Sequence, residues 1–128
     1  MFFSKNEFIN KVHNIEYFLY RVIKKIIFFE EEERKPIVLL AMKILEKYID
    51  IDTTAFFYEH ELTRYFEIVS VTCLWISYKF LIDRDDISSF YLQKITYYNY
   101  INFVRFEREI LQFINYDIYK ISKEINYE

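Results

Sequence analysis

The chain has 128 residues, 53% hydrophobic, 22% aromatic and 29% charged, and its 17 Lys and Arg against 20 Asp and Glu leave a net charge of −3. That is apolar material for one sizeable core and too little length for two ordinary domains, so a single domain over residues 1–128 is expected. Glycine is absent and proline occurs once, which excludes phosphate-cradling loops and the glycine-flanked serine elbow, disfavours a turn-rich all-β fold, and leaves an all-α chain as the expectation.

In chain order, a short helix is placed at residues 4–12 and a longer one at Asn14–Phe29. There Ile15, Phe18, Leu19, Val22, Ile23, Ile26 and Ile27 recur at helical three-four spacing. The acidic run Glu30–Glu33 with Arg34 and Lys35 reads as a solvated helix extension or loop. Pro36 suits the first position of a second helix, where its missing N–H would be unpaired anyway. That helix runs through Val38, Leu39, Ala41, Met42, Leu45 and Tyr48 to about Ile49, and Asp50–Thr54 breaks it.

A third helix is expected to start between His60 and Thr63 and to end at Phe80 or Leu81. From Phe66 to Phe80 its residues are apolar or small almost all round, the signature of a helix surrounded by others. Ser70, Thr72, Cys73 and Ser77 would let neighbours approach closely. Its longest apolar run, Ile68–Tyr78, is about half a membrane span. Asp83–Asp86 reads as a turn and helix start leading into Ile87–Ile95, and Asn99 as a further break. The last strong helix covers about Tyr100–Ile114, with Phe103, Val104, Phe106, Ile110, Leu111, Phe113 and Ile114 as its apolar set. Asn115 is its left-handed cap in a chain without glycine. The expected architecture is about five core helices around a buried third.

Catalytic and metal-binding patterns are poor. Asp50, Asp52 and Glu61 occupy the first, third and twelfth positions of a calcium-loop pattern, but Ala55 stands at the sixth, where the turn needs glycine, so the segment reads as a capped turn. His13, His60 and Cys73 lack metal-ligand spacing, and Cys73 reads as a small buried hydrophobe. No nucleophile–base arrangement emerges; the expectation is a non-enzyme with no cofactor and no metal. The acidic balance disfavours nucleic acid as a partner. A single cysteine suits a reducing compartment, and Met1–Glu7 turns polar too early for a signal peptide. A soluble, cytoplasmic or nuclear protein with no membrane partner is therefore expected. Lys79 and Glu107 interrupt apolar stretches, and periodicity alone reads both as snorkelling surface residues.

Three segments together resemble a cyclin box: Val38–Ile49, Ile68–Phe80 with its Ser77-Tyr78-Lys79-Phe80 ending, and Glu107–Ile118 with its Tyr116-Asp117-Ile118 tail. The resemblance covers about residues 15–118. Phe18–Lys24, Pro36, Lys79–Arg84 and Phe113–Tyr116 are closest to short, single-box cyclins of the fungal phosphate-signalling class. Tyr78 replaces the usual serine, Glu30–Arg34 resembles an insertion, and neither a second box nor the substrate-docking motif of mitotic cyclins is recognisable.

The resemblance implies a single cyclin-box fold and a regulatory subunit that binds and activates a cyclin-dependent kinase through the kinase's αC helix. In that reading Lys79 and Glu107 meet backbone groups before αC, and Phe80, Leu111, Tyr116 and Ile118 match the apolar contacts beside them. Arg21 and Glu46 match an internal ion pair between the first two helices. Three alternatives remain at this level: a cyclin-fold module of the transcription-factor-IIB type, a cyclin mimic that sequesters a kinase without activating it, and a generic helical interaction module.

Overall fold

A computed structural model describes residues 5–25, 31–49, 59–82 and 89–125. Among these the chain is all-α, with six helices and no strand. They are α1 (Lys5–Ile23), α2 (Glu31–Tyr48), α3 (Glu59–Ile82), α4 (Phe90–Thr96), α5 (Tyr100–Phe113) and α6 (Ile118–Lys123). The expected turns at Asp50–Thr54 and Asp83–Asp86, positions one to nine of the calcium-like pattern and residues 26–29 of the first helix lie outside the described residues.

Helix α1 is continuous where two helices were expected, because Lys5–Ile23 holds neither proline nor glycine to interrupt it. Pro36 is the second correction: it lies inside α2, not at its start. The preceding Glu31–Lys35 are good helix formers, and acidic side chains at a helix N-terminus offset its positive end. Together they carry the helix upstream, although Pro36 has no N–H to donate to the carbonyl of Glu32.

The buried stripe of α2 is Ile37, Val38, Leu40, Ala41, Ile44 and Leu45. It is rotated from the expected set, so that Met42 and Tyr48 only flank the core and Leu39 is half-buried. Every residue of α3 from Ile68 to Tyr78 is buried, and α3 packs against α1, α2 and α5. Its buried serine and threonine hydroxyls are absorbed by backbone. Ser70 donates to Glu67 O at 3.0 Å, Thr72 to Ile68 O at 2.7 Å, and Ser77 across to Ile37 O of α2 at 2.6 Å.

Thr63–Ile82 is long and apolar enough by composition to cross a membrane, longer than the run singled out in the sequence, and 67% of that window is buried inside the fold. One cluster of buried side chains joins all six helices, with Trp75, Tyr78, Phe66 and Phe103 as its largest members.

The second half of the chain turns two corners without glycine. Tyr97 ends α4 in the left-handed region (φ 66°), and its N–H reaches Gln93 O at 2.9 Å. Asn99 then caps α5, its side chain accepting from Ile101 N at 2.9 Å. At the end of α5, Asn115 (φ 55°) is left-handed as expected, and Tyr116 (φ 59°) follows it. Asn115 N–H donates to Gln112 O and Tyr116 N–H to Leu111 O, at 3.1 and 2.8 Å, the paired bonds of a Schellman ending. Asp117 caps α6, accepting from Lys120 N at 3.1 Å. On α5 the buried stripe is Phe103, Ile110 and the following Ile114, whereas Val104 and Phe113, expected in it, are exposed.

Candidate functional site

Helix α3 leaves the core in its last turn. Tyr78 is fully buried with its ring stacked on Trp75, centroids 5.5 Å apart. The next residue, Lys79, is only partly covered, and Phe80 is 36% exposed. The Lys79 ammonium lies 6.0 Å from the centre of the Trp75 ring one turn back. It also sits at the negative end of the α3 dipole, where a cation is favoured.

Glu107, 28 residues further along the chain, projects from the middle of α5. The packing of α5 on α3 brings its carboxylate directly onto the Lys79 ammonium as a hydrogen-bonded ion pair. Both side chains are three-quarters or more covered, at 25% and 20% exposure. Neither is therefore a simple snorkelling residue. An ammonium has three donors and a carboxylate about four acceptor sites, so each retains capacity for a further partner.

Leu111 follows Glu107 one turn on, half-buried against the core, and Ile118 opens α6 in the same state. Tyr116 stands between them at 64% exposure, its N–H on the carbonyl of Leu111. These three residues gather at the α5–α6 corner. The expected Arg21–Glu46 ion pair is not formed. The Arg21 guanidinium lies 6.0 Å from the ring centre of Phe18 on its own helix, and Glu46, 72% exposed, pairs with Lys43 at 3.8 Å. Both residues face solvent, where an ion pair gains too little to fix two long side chains across helices.

Several polar contacts escaped sequence reasoning because they join residues far apart in the chain. The Tyr48 hydroxyl donates to Glu109 at 3.4 Å, and its ring packs edge-on against Phe113 at 5.5 Å. Burial, with nearby Tyr65 and Glu109, pushes the Tyr48 phenol well above its usual range. Tyr98 donates to the carboxylate of Glu67 on α3, and burial together with that bond pushes its phenol up to about 12. Lys47 of α2 pairs with Glu124 at 3.0 Å, which lowers the Glu124 carboxyl from its ordinary value. The lone thiol of Cys73 is buried, and burial raises its pKa, the state of an inert core group.

Clefts open on the surface among the described residues. One of ≈ 250 Å³ is lined by Lys47, Phe113, Asp117, Lys120 and Glu124 among others; one of ≈ 170 Å³ lies between α1 and α3 beside Phe18, Arg21, Thr63 and Glu67. Among the described residues no group of three or more His, Cys, Asp or Glu is placed to hold a metal ion. Comparison with protein-family models, with curated proteins and with solved structures yields no match to this chain.

Proposed function

We propose that the chain is a cyclin-like binding subunit that docks on the αC helix of a cyclin-dependent kinase through the face formed by the end of α3 and by α5. The observation that carries this reading is the convergence of Lys79 and Glu107 at a partly open edge of the α3–α5 packing. These are the two polar residues that the cyclin-box resemblance singles out. Exposed Phe80 adjoins the pair, and Leu111, Tyr116 and Ile118 gather at the corner beyond it.

The chemistry of such docking is direct. Phosphoryl transfer in protein kinases needs a lysine–glutamate ion pair whose glutamate lies on αC. A subunit that binds only the inward position of αC shifts the kinase toward its active state by its differential affinity. The Lys79 ammonium would donate its spare N–H groups to backbone carbonyls preceding αC. The free lone pairs of Glu107 would accept backbone N–H groups there, in charge-assisted bonds. Phe80 and Tyr116 would lose exposed apolar surface in the same contact.

The test is co-purification of the chain with recombinant cyclin-dependent kinase subunits freed of their own cyclins, with peptide phosphorylation measured on the recovered complex. The wild type is expected to hold one of the kinases and to activate it. The Lys79→Ala/Glu107→Ala variant should bind roughly 30-fold or more weakly, as for other truncated charge contacts in interfaces. Unchanged circular dichroism of the variant checks that its fold is intact. A kinase held but left inactive would replace activation by sequestration. Equal recovery by wild type and variant, or no recovery by either, would overturn the proposal.

A further inference from the structure

A second surface, independent of the kinase reading, lies on α4 and α5. Ile101, Val104, Arg105 and Arg108 follow one another at positions i, i+3, i+4 and i+7, so they share one face of α5. All four are exposed, Ile101 at 58% and Val104 at 42%. The centre of this face is turned roughly a quarter-turn about the helix axis from Glu107 and Leu111, and Tyr100 and Val104, seven and three residues before Glu107, lie on the edge the two faces share. At its N-terminal end Tyr100 packs edge-on against Phe90 of α4, ring centres 5.4 Å apart, and the Lys94 ammonium lies 5.9 Å from the Phe90 ring. The corner between the two helices is fixed: the Gln93 side chain accepts from Tyr100 N at 2.9 Å. The aromatic rings are thus presented by a braced α4–α5 corner.

The charge of this surface is opposite to that of the whole molecule. From Ser89 to Glu109 the sequence carries Lys94, Arg105 and Arg108 against two acids, Glu107 and Glu109, of which Glu107 is engaged by Lys79. Of the three cations only Arg105 has an ion-pair partner among the described residues, Glu109 at 3.3 Å. The result is an apolar and aromatic strip edged with cations on a chain of net charge −3.

We infer that this α4–α5 face is a docking surface for an acidic peptide segment bearing aliphatic or aromatic side chains. Such a segment would lay its apolar residues over Tyr100, Ile101 and Val104 and its carboxylates against Lys94, Arg105 and Arg108. Rigid aromatics and arginines are the residue types that carry binding energy at protein interfaces. Charge complementarity selects the occupant. A second copy meeting this face symmetrically would set the cations Lys94, Arg105 and Arg108 against the same three cations of its partner, an unfavourable like-charge contact. An anionic bilayer attracts each basic residue only weakly near its surface, and the chain's excess of acids opposes its approach.

The experiment is selection of a random 12-residue peptide library against the immobilised full chain, with the Arg105→Glu/Arg108→Glu variant as counter-target. Sedimentation with phosphatidylserine-containing vesicles runs in parallel. Peptides retained by the wild type should carry Asp or Glu within about one helical turn of a large apolar residue. They should bind the charge-reversed variant at least tenfold more weakly, and their affinity should fall as salt is raised. A second variant, Ile101→Ser/Val104→Ser, should also weaken them, and both variants change only exposed side chains and should keep the wild-type circular dichroism. Recovery of no wild-type-specific peptide, recovery of peptides without acidic residues, or equal binding to the charge-reversed variant would each overturn the inference. So would vesicle binding that depends on Arg105 and Arg108 without peptide binding, which would assign the face to a membrane.

Discussion

Tyr97 occupies backbone geometry, φ 66° and ψ 3°, that an L-residue enters against a steric penalty of about 1–2 kcal/mol. Its side chain is 89% exposed and offers little packing in return. The residue that normally takes such a position is glycine, which this sequence does not use. Substitution Tyr97→Gly should therefore stabilise the chain by about 0.5–1 kcal/mol, the strain relieved exceeding the added freedom of the unfolded chain. Urea unfolding checks this: the midpoint should rise with the slope unchanged, and a fall would mean that the Tyr97 ring packs more usefully than its exposure indicates. Ser77 poses the opposite case. Its hydroxyl is buried and spans two helices to reach Ile37 O, so Ser77→Ala removes one hydrogen bond without opening a large cavity. A loss of about 1 kcal/mol is expected in the same measurement.

At the scale of elements, α2 carries its defect within itself. Pro36 lies inside the helix and leaves one carbonyl of the preceding turn without its backbone donor. Pro36→Ala restores that bond and should stabilise the chain by roughly 1–3 kcal/mol, the range set by proline's helix penalty less the entropy it removes from the unfolded state. A thermal unfolding midpoint that stays level or drops would show that the residues before Pro36 add nothing to the helix. The same proline shows where sequence reading stops. Its preference for a helix start is local, and it was outweighed by five helix-forming residues upstream. By contrast α3 and α5 were legible almost to their ends. The apolar or small character of Ile68–Tyr78 and the three-four spacing from Phe103 to Ile114 are set by burial, and burial decides the fold. Asn115 was legible for a chemical reason, since asparagine is the residue best able to replace glycine in a left-handed cap. The candidate site divides along the same line. Lys79 and Glu107 stand out in sequence as polar residues on apolar stretches, but only the cyclin-box resemblance joins them, because periodicity describes one helix at a time and their pairing is made by two. Arg21 and Glu46 had the same warrant, but both side chains face solvent and nothing holds them together.

At the scale of the molecule, the aromatic hydroxyls govern behaviour in alkali. Tyr98, bonded to Glu67, titrates at about 12 against an ordinary 10.0. Tyr48, buried beside Tyr65 and Glu109, lies higher still. The Cys73 thiol is raised by burial from an ordinary 9.0. In each case the folded chain holds its proton more tightly than the unfolded chain does. Their contribution to stability is therefore complete below the unfolded values of 9.0 and 10.0 and is lost as pH rises toward the folded ones. Between those limits the unfolded state has released protons that the folded state retains, so the slope of stability against pH is negative. Urea unfolding measured at increasing pH should show a decline that begins near the ordinary thiol value of 9.0 and steepens above 10.0. Tyr98→Phe isolates the part that this phenol contributes. The variant lacks the phenol, so its decline between 10.0 and about 12 should be shallower than that of the wild type. Parallel curves for the two proteins would mean that the Tyr98–Glu67 bond between the α4–α5 corner and α3 contributes nothing to the pH dependence. A shallower curve for the variant would show that a contact between residues 31 apart in sequence helps bind the second half of the chain to the central helix.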